Sequence, residues 1–287
     1  MPKTIIKLDN VSWAYSREKG RALRDISVEI EEGSFTAVMG ANGAGKSSFC
    51  RLLNGLIPHS LEGTLLGTVI IDGDDTKSSS VVQLAKKAGM AFEDPAAQLF
   101  TASVYDEAAF ALENLLLEPE EIAIKVQRAL EMSRLWDYRG FPVSALSGGQ
   151  KQRLAIAAAL AMANKLLVLD EPASQLDPLG AREVLSFIRE LRRQKGLTVV
   201  MATGSGEEAA EFADKILVLR DGSLAAFGTP TQVFADKNLT ASCMIDLPQV
   251  SEFAACMEYR GYPLPRFPVN LDEAAESALA WYNKKHG

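Results

Sequence analysis

The sequence predicts an α/β fold: a mainly parallel sheet, an antiparallel β region towards the N-terminus, a helical insertion and a small C-terminal helical extension. Three observations carry this prediction. Short apolar runs bounded by turn residues recur along the chain, as buried strands do. Between about residues 94 and 163 the apolar residues fall at three-to-four spacing, the period of a helix face. Strand-like and helix-like segments then alternate with short connections, the pattern that lays parallel strands under covering helices.

Taken in order, Thr4–Leu8, Ile26–Ile30 and Phe35–Met39 read as strands, with Gly33 supplying a tight turn between the last two. "GTVIIDG" places another strand at Gly67–Asp72. Val104–Leu117 and Glu120–Leu135 read as amphipathic helices of the insertion. Strands return at Lys165–Leu169, Thr198–Met201 and Ile216–Arg220. Past about Asn238 the pattern weakens to short helices around a Pro-rich turn, in "ASCMIDLPQVSEFAACMEYRGYPLP" and "NLDEAAESALAWYNKK". The expected division is a principal unit, 1–240, with a helical subdomain at about 94–163, and an extension, 241–287. Phe253, Met257, Leu279 and Trp281 are more apolar surface than an isolated tail carries, which points to a dimer contact.

A chain of 287 residues is long enough for one large or two modest domains with a buried core. Its net charge of −7 disfavours a basic nucleic-acid-binding surface, and no nucleic-acid partner is expected. Cys50, Cys243 and Cys256 have neither metal-site nor disulfide-framework spacing and fit a reducing compartment. The start, "MPKTIIKLDNVSW", lacks the apolar stretch behind basic residues that marks a signal peptide. The longest apolar run, Leu154–Ala163, has ten residues. That is about half of the ~20 that a spanning helix needs. The expectation is a soluble chain that docks on a membrane partner.

"GANGAGKSS" follows a strand-like run and opens a helical segment. Gly40, Gly45, Lys46 and Ser47 fill the pattern G-x-x-x-x-G-K-[ST], and Asn42, Gly43, Ala44 and Ser48 complete the segment. Glycines let backbone N–H groups close around phosphate oxygens, at the positive end of a helix. Lys46 is placed for the β- and γ-phosphates and Ser47 for Mg²⁺. "LLVLDEP" is a buried strand that delivers Asp170 and Glu171 at its carboxyl end. Asp170 fits a Mg²⁺-orienting carboxylate, and Glu171 is placed to orient or deprotonate water. In "ALSGGQKQRLAIAAALAMA", Ser147, Gly148, Gly149 and Gln150 offer a hydroxyl, bare amides and a helix N-terminus, which suit a second phosphate site. One γ-phosphate cannot easily use two such sites in one chain. The simplest resolution is a dimer in which this segment faces the partner's phosphate loop.

Gly40–Ser47, Leu146–Gln150 and Leu166–Glu171, in this order and spacing, resemble the Walker A, signature and Walker B motifs of ABC-type ATPases, and the likeness covers roughly residues 4–240. The resemblance implies a P-loop nucleotidase core that binds ATP and Mg²⁺. It implies that Tyr15 stacks on adenine and that "SQLD" is the D-loop, with Asp177 at the dimer interface. "DPAAQLFTASVYDEAAFALENL" and the tail "IDLPQVSEFAACMEYRGYPLP" are similar to the ATPases of energy-coupling-factor (ECF) transporters, which import vitamins or cobalt and nickel ions. The implied partners are a membrane coupling subunit and a substrate-binding membrane subunit. The implied place is peripheral, at the cytoplasmic face of the cell membrane.

Two positions depart from that family. Glutamine precedes "DP" in its Q-loop, where "AFEDP" has Glu93. A Glu93 carboxylate can reach Mg²⁺ or its waters but loses an amide donor. Histidine follows the "MAT" of its H-loop, where Gly204 stands, flanked by Thr203 and Ser205, whose hydroxyls are the local substitutes. The chain's two histidines, His59 and His286, fall outside strand ends. Losing a donor to a reacting phosphoryl group costs roughly 3–4 kcal/mol, or about 10²–10³ in rate. ABC active sites are composite, so both departures belong to the site built on this chain's own phosphate loop. A homodimer would carry both twice; a heterodimer with a paralogous ABC ATPase keeps one sound site and is the favoured expectation. Two alternatives stand beside it, a binding-only regulatory subunit and a non-transport ABC ATPase. The coiled-coil insertions or basic arms expected of the latter are not in the sequence.

Overall fold

The computed structural model describes residues 3–17, 20–162 and 165–286. β1 (Thr4–Tyr15) and β2 (Leu23–Glu31) pair antiparallel, and β3 (Phe35–Met39) then leaves for a second sheet. β4 (Gly63–Ile71) returns to pair antiparallel with β1, and β5 (Asp74–Asp75) completes the order β2-β1-β4-β5. β3 is joined by β6 (Ala88–Ala91), β7 (Leu166–Asp170), β8 (Thr198–Ala202), β9 (Lys215–Arg220) and β10 (Ser223–Gly228), in the order β10-β9-β3-β8-β7-β6. Every neighbouring pair in this sheet is parallel except the β9–β10 hairpin. β3, β7 and β8 are buried at all five positions, which explains their unbroken apolar sequences.

The longer helices are α1 (Lys46–Leu53), α2 (Val104–Asn114), α3 (Pro119–Met132), α4 (Gly148–Met162), α5 (Pro178–Lys195), α6 (Gly206–Phe212), α7 (Gln249–Tyr259) and α8 (Leu271–His286). α2, α3 and α4 form the helical insertion, and the alanine-rich α4 is buried along most of its length. The apolar run Leu154–Ala163 is therefore a core helix, although Ala163 itself lies outside the described residues. Among the described residues no helix is long and apolar enough to cross a membrane. Caps set the helix starts: Asp177 accepts from Gly180 N ahead of Pro178 in α5, and Ser205 accepts from Glu208 N in α6.

Several elements differ from the sequence reading. The first strand runs on past Leu8 to Tyr15, so Tyr15 closes a strand. The turn at Gly33 joins strands of different sheets, not a hairpin pair. β6 and β10 were not expected, because "AGMA" and "SLAAFG" lack the β-branched residues that signal strands. Gly89 explains β6: a Cβ there would lie 2.5 Å from the Ala159 carbonyl, so the missing side chain admits α4 onto the strand. α8, at 16 residues, is longer than the short helix expected. Cys243, Ile245 and Val269 of the extension are buried in one core cluster with Ala37, Met39 and Val218. Gln249 N donates to Glu207 Oε1 at 2.7 Å, which ties the extension to α6. Phe253 and Leu279, at 51% and 64% exposure, remain on its surface.

Candidate functional site

β3, β7 and β8 run parallel and end on one edge of the sheet, where side chains from successive loops converge. The loop after β3 and the first turn of α1 form one wall of a cavity of about 690 Å³. Gly45 has φ 106, and a Cβ on it would lie 2.7 Å from the Ala22 carbonyl. Gly40, at φ 142, would collide with the Leu219 carbonyl if it carried one. Both glycines are thus required by backbone conformation and by close approach. No side chain caps α1, which begins after Gly45. Its first-turn N–H groups are left for an anion.

Lys46 is buried, donates to the Gly40 carbonyl at 3.0 Å and pairs with Glu171 Oε1 at 3.3 Å. Ser47 Oγ donates to Asp170 Oδ1 at 3.0 Å. Burial pushes the Asp170 carboxyl above the usual carboxylate range. The Ser47 hydrogen bond and the Arg51 charge oppose that shift, and Glu171 and Glu93 add to it. Glu171 has φ 48, a left-handed backbone uncommon for a non-glycine residue, and its N–H donates to the Ala202 carbonyl at 3.0 Å. Tyr15 sits at the cavity edge with its hydroxyl 2.9 Å from Ser48 Oγ and its ring edge-on to buried Trp13.

Tyr15, Asn42, Gly43, Gly45, Lys46 and Ser47 line the cavity, and Ser48, Glu93 and Glu171 join them. Asp170 lies behind Ser47. Ser47 and Asp170 supply the hard oxygen donors that suit Mg²⁺ alongside phosphate oxygens and water. Among the described residues no three Asp, Glu, His or Cys side chains converge as a metal cluster. The Ser47 and Asp170 oxygens fit a metal that arrives with a phosphorylated ligand.

The remaining sequence-predicted residues stand apart from this cavity. Ser147 and Gln150 form a reciprocal cap on α4: Ser147 Oγ accepts from Gln150 N, and Gln150 Oε1 accepts from Ser147 N at 2.8 Å. Ser147 and Gly148 are exposed, and Gly148 packs towards Leu176 of the "SQLD" turn. Asp177 caps α5 through Gly180 N at 2.6 Å. Gly204 follows β8 and is exposed, and a Cβ built on it meets nothing within 4 Å. Neither backbone nor packing demands glycine there. Thr203 Oγ1 donates to Glu208 Oε2 at 2.5 Å and accepts from Ser205 N, while Ser205 Oγ accepts from Glu208 N. The Thr203 hydroxyl proton is thus engaged within the loop, whereas Ser205 takes part through its oxygen alone. His59 is held elsewhere, 2.7 Å from the Thr76 carbonyl, and the His286 side chain lies outside the described residues.

Sequence reasoning missed Arg24 and Arg51, which line the cavity, and Glu208 behind Thr203. Arg51 lies four residues after Ser47 on α1, so helical spacing alone places both on one face. Arg24 carries no such signal, because the approach of β2 to the phosphate loop is a tertiary fact. Burial pushes the Glu208 carboxyl upward; the Thr203 hydrogen bond opposes this and the Glu171 charge adds to it.

A family profile described as ABC transporter matches residues 23–174. A protein of Pyrococcus abyssi named for an ABC transporter ATP-binding role is 43% identical over 258 residues, 90% of this chain and 92% of its own. The energy-coupling factor transporter ATP-binding protein EcfA1 of Caldanaerobacter subterraneus is 37% identical over 276 residues, 95% of this chain and 98% of its own. The solved structure of cbiO1 from Clostridium perfringens, described as part of the ABC transporter complex cbiONQ, has a TM-score of 0.72 at 33% identity, covering 83% of this chain and 93% of that one. The phosphate loop, the strand-end carboxylates and these similarities lead to one conclusion: the chain belongs to the ABC transporter ATPases, in their energy-coupling-factor branch, where ATPase activity is coupled to transport.

Proposed function

We propose that this chain is one half of a heterodimeric ATPase pair that powers import of a vitamin or metal ion, and that its own nucleotide site turns over slowly. In this reading Lys46 holds the β- and γ-phosphates, and the amides of Asn42–Ser48 close around them. Tyr15 stacks on the adenine, and Asp170 and Ser47 hold the metal. Mg²⁺ held there would supply positive charge against the phosphates. Glu93, at the cavity edge, would offer a carboxylate towards the metal or its waters. Phosphate competes with Glu171 for the Lys46 ammonium, which frees the Glu171 carboxylate to orient water. The exposed Ser147–Gln150 cap serves the partner's γ-phosphate, and Asp177 borders the same interface.

The observation that carries the asymmetry is the loop after β8. Gly204 offers no side chain, and Thr203 spends its hydroxyl proton on Glu208, while Ser205 is held at the cap of α6, where its oxygen accepts from Glu208 N. On the helical insertion, Phe100 and Phe110 are exposed at 66% and 40% and stack edge-on, with ring centroids 4.7 Å apart. This aromatic patch adjoins the loop that carries Glu93 and suits a membrane coupling subunit. The chain would then lie peripherally on the cytoplasmic face, with substrate chosen by the membrane subunits. Exposed apolar residues of α7 and α8 provide a second contact within the ATPase pair.

A single-turnover assay of the isolated chain beside Glu171→Gln tests this reading. The expected result is tight ATP binding by both, slow hydrolysis by the parent chain and little further loss in the variant. Rapid hydrolysis that Glu171→Gln abolishes would overturn the impaired-site proposal.

A further inference from the structure

α3, the end of α4 and the end of α5 line a separate, solvent-open cavity of about 340 Å³. It belongs to the opposite edge of the main sheet from the phosphate loop, because α4 ends just before β7 and α5 just before β8. The length of a five-residue strand, about 16 Å, separates the two edges. Lys125, Arg128 and Lys195 line this cavity, and Glu121 is the one acid beside them.

Lys125 pairs with Glu121 at 3.7 Å, one helical turn away. Among the described residues, Arg128 and Lys195 have neither an ion pair nor a hydrogen-bond partner. Three cations around one acid run against the −7 charge of the whole chain. Burial, together with the neighbouring Arg128 and Lys125 charges, pulls the Lys195 ammonium below the ordinary lysine range. The helix dipole at the end of α5 accounts for a cation at Lys195, but not for two more facing it from α3. Between the cations the surface is apolar, built by Ile124, Ala129, Leu160 and Ala161.

We propose that this cavity is a second anion site, which takes a phosphate group attached to a small apolar moiety. Arg128 presents a planar fork that fits phosphate oxygens, and Lys125 and Lys195 add mobile point charges. The apolar wall takes the remainder of the ligand. The volume lies at the lower end of ligand pockets, which suits a small organic phosphate or a lipid headgroup.

The test is calorimetric titration of phenyl phosphate into the full chain, with Lys46→Ala in parallel to take the phosphate loop out of play. One saturable equivalent is expected to remain in Lys46→Ala and to weaken at least about tenfold when Arg128→Gln or Lys195→Glu is added. Flotation with phosphatidylglycerol vesicles, against phosphatidylcholine, identifies the source. Binding to the anionic vesicles that Arg128→Gln removes assigns the phosphate to a lipid headgroup. Phenyl phosphate binding without vesicle binding assigns it to a free organic phosphate. No binding of either probe, or binding that Lys46→Ala abolishes and Arg128→Gln leaves intact, would overturn the site.

Discussion

At the end of β7, Glu171 holds a left-handed backbone that few residues tolerate; at the end of β8, Gly204 occupies open space that any side chain could fill. The first position keeps strain where a carboxylate is useful. The second gives up a side chain with no return in packing or conformation. Gly204→His is therefore expected to fold normally and to raise single-turnover hydrolysis in the chain's own site at least about tenfold, since one added donor to a reacting phosphoryl group is worth that or more. An unchanged rate would mean that the missing side chain is not what slows this site. Asp170 makes a complementary case. Its carboxyl is raised in the fold, so its ionisation penalises the folded state. That penalty is absent below the ordinary aspartate pKa and fully present above the raised value, hence at neutral pH. Without nucleotide or Mg²⁺, Asp170→Asn should raise the melting temperature by about 2–4 °C while weakening Mg²⁺ dependence. A lowered melting temperature would show that the charge is stabilised in place.

At the scale of elements, the sequence was most readable where local chemistry decides the structure. The strand before "GANGAGKSS", the helix after it and the cap at Ser147 follow from neighbouring residues. β6 and β10 were not readable, because small residues form strands there only under the packing of other elements. Arg24 and Glu208 were missed for the same reason: one reaches the cavity through the approach of β2, and the other meets Thr203 through the first turn of α6. The extension is also settled by packing. Cys243, Ile245 and Val269 enter the core, so removing everything past Asn238 would strip buried side chains along with any dimer contact. Surface substitutions isolate the contact. Phe253→Asp with Leu279→Asp should leave the melting temperature unchanged and weaken association of the ATPase pair at dilute concentration, read by sedimentation. Unchanged association would remove the extension from the dimer interface.

At the scale of the whole molecule, the two surfaces proposed to act on ATP lie on separate elements. The cavity lined by the phosphate loop and the first turn of α1 carries Glu93 and Glu171, whereas the cap of α4 stands apart from it with Ser147 exposed. If α4 completes a partner's site, damage to the two surfaces must have unequal effects. The direct measurement is the ATPase rate of the complex reconstituted with its native partner and coupling subunit, comparing Ser147→Arg with Glu171→Gln. Ser147→Arg places bulk and charge where the partner's γ-phosphate belongs, and should cost most of the activity. Glu171→Gln strikes the site that the proposal makes slow, and should cost little. Comparable losses, or a larger loss from Glu171→Gln, would contradict the account and make this chain's own site the one that hydrolyses ATP.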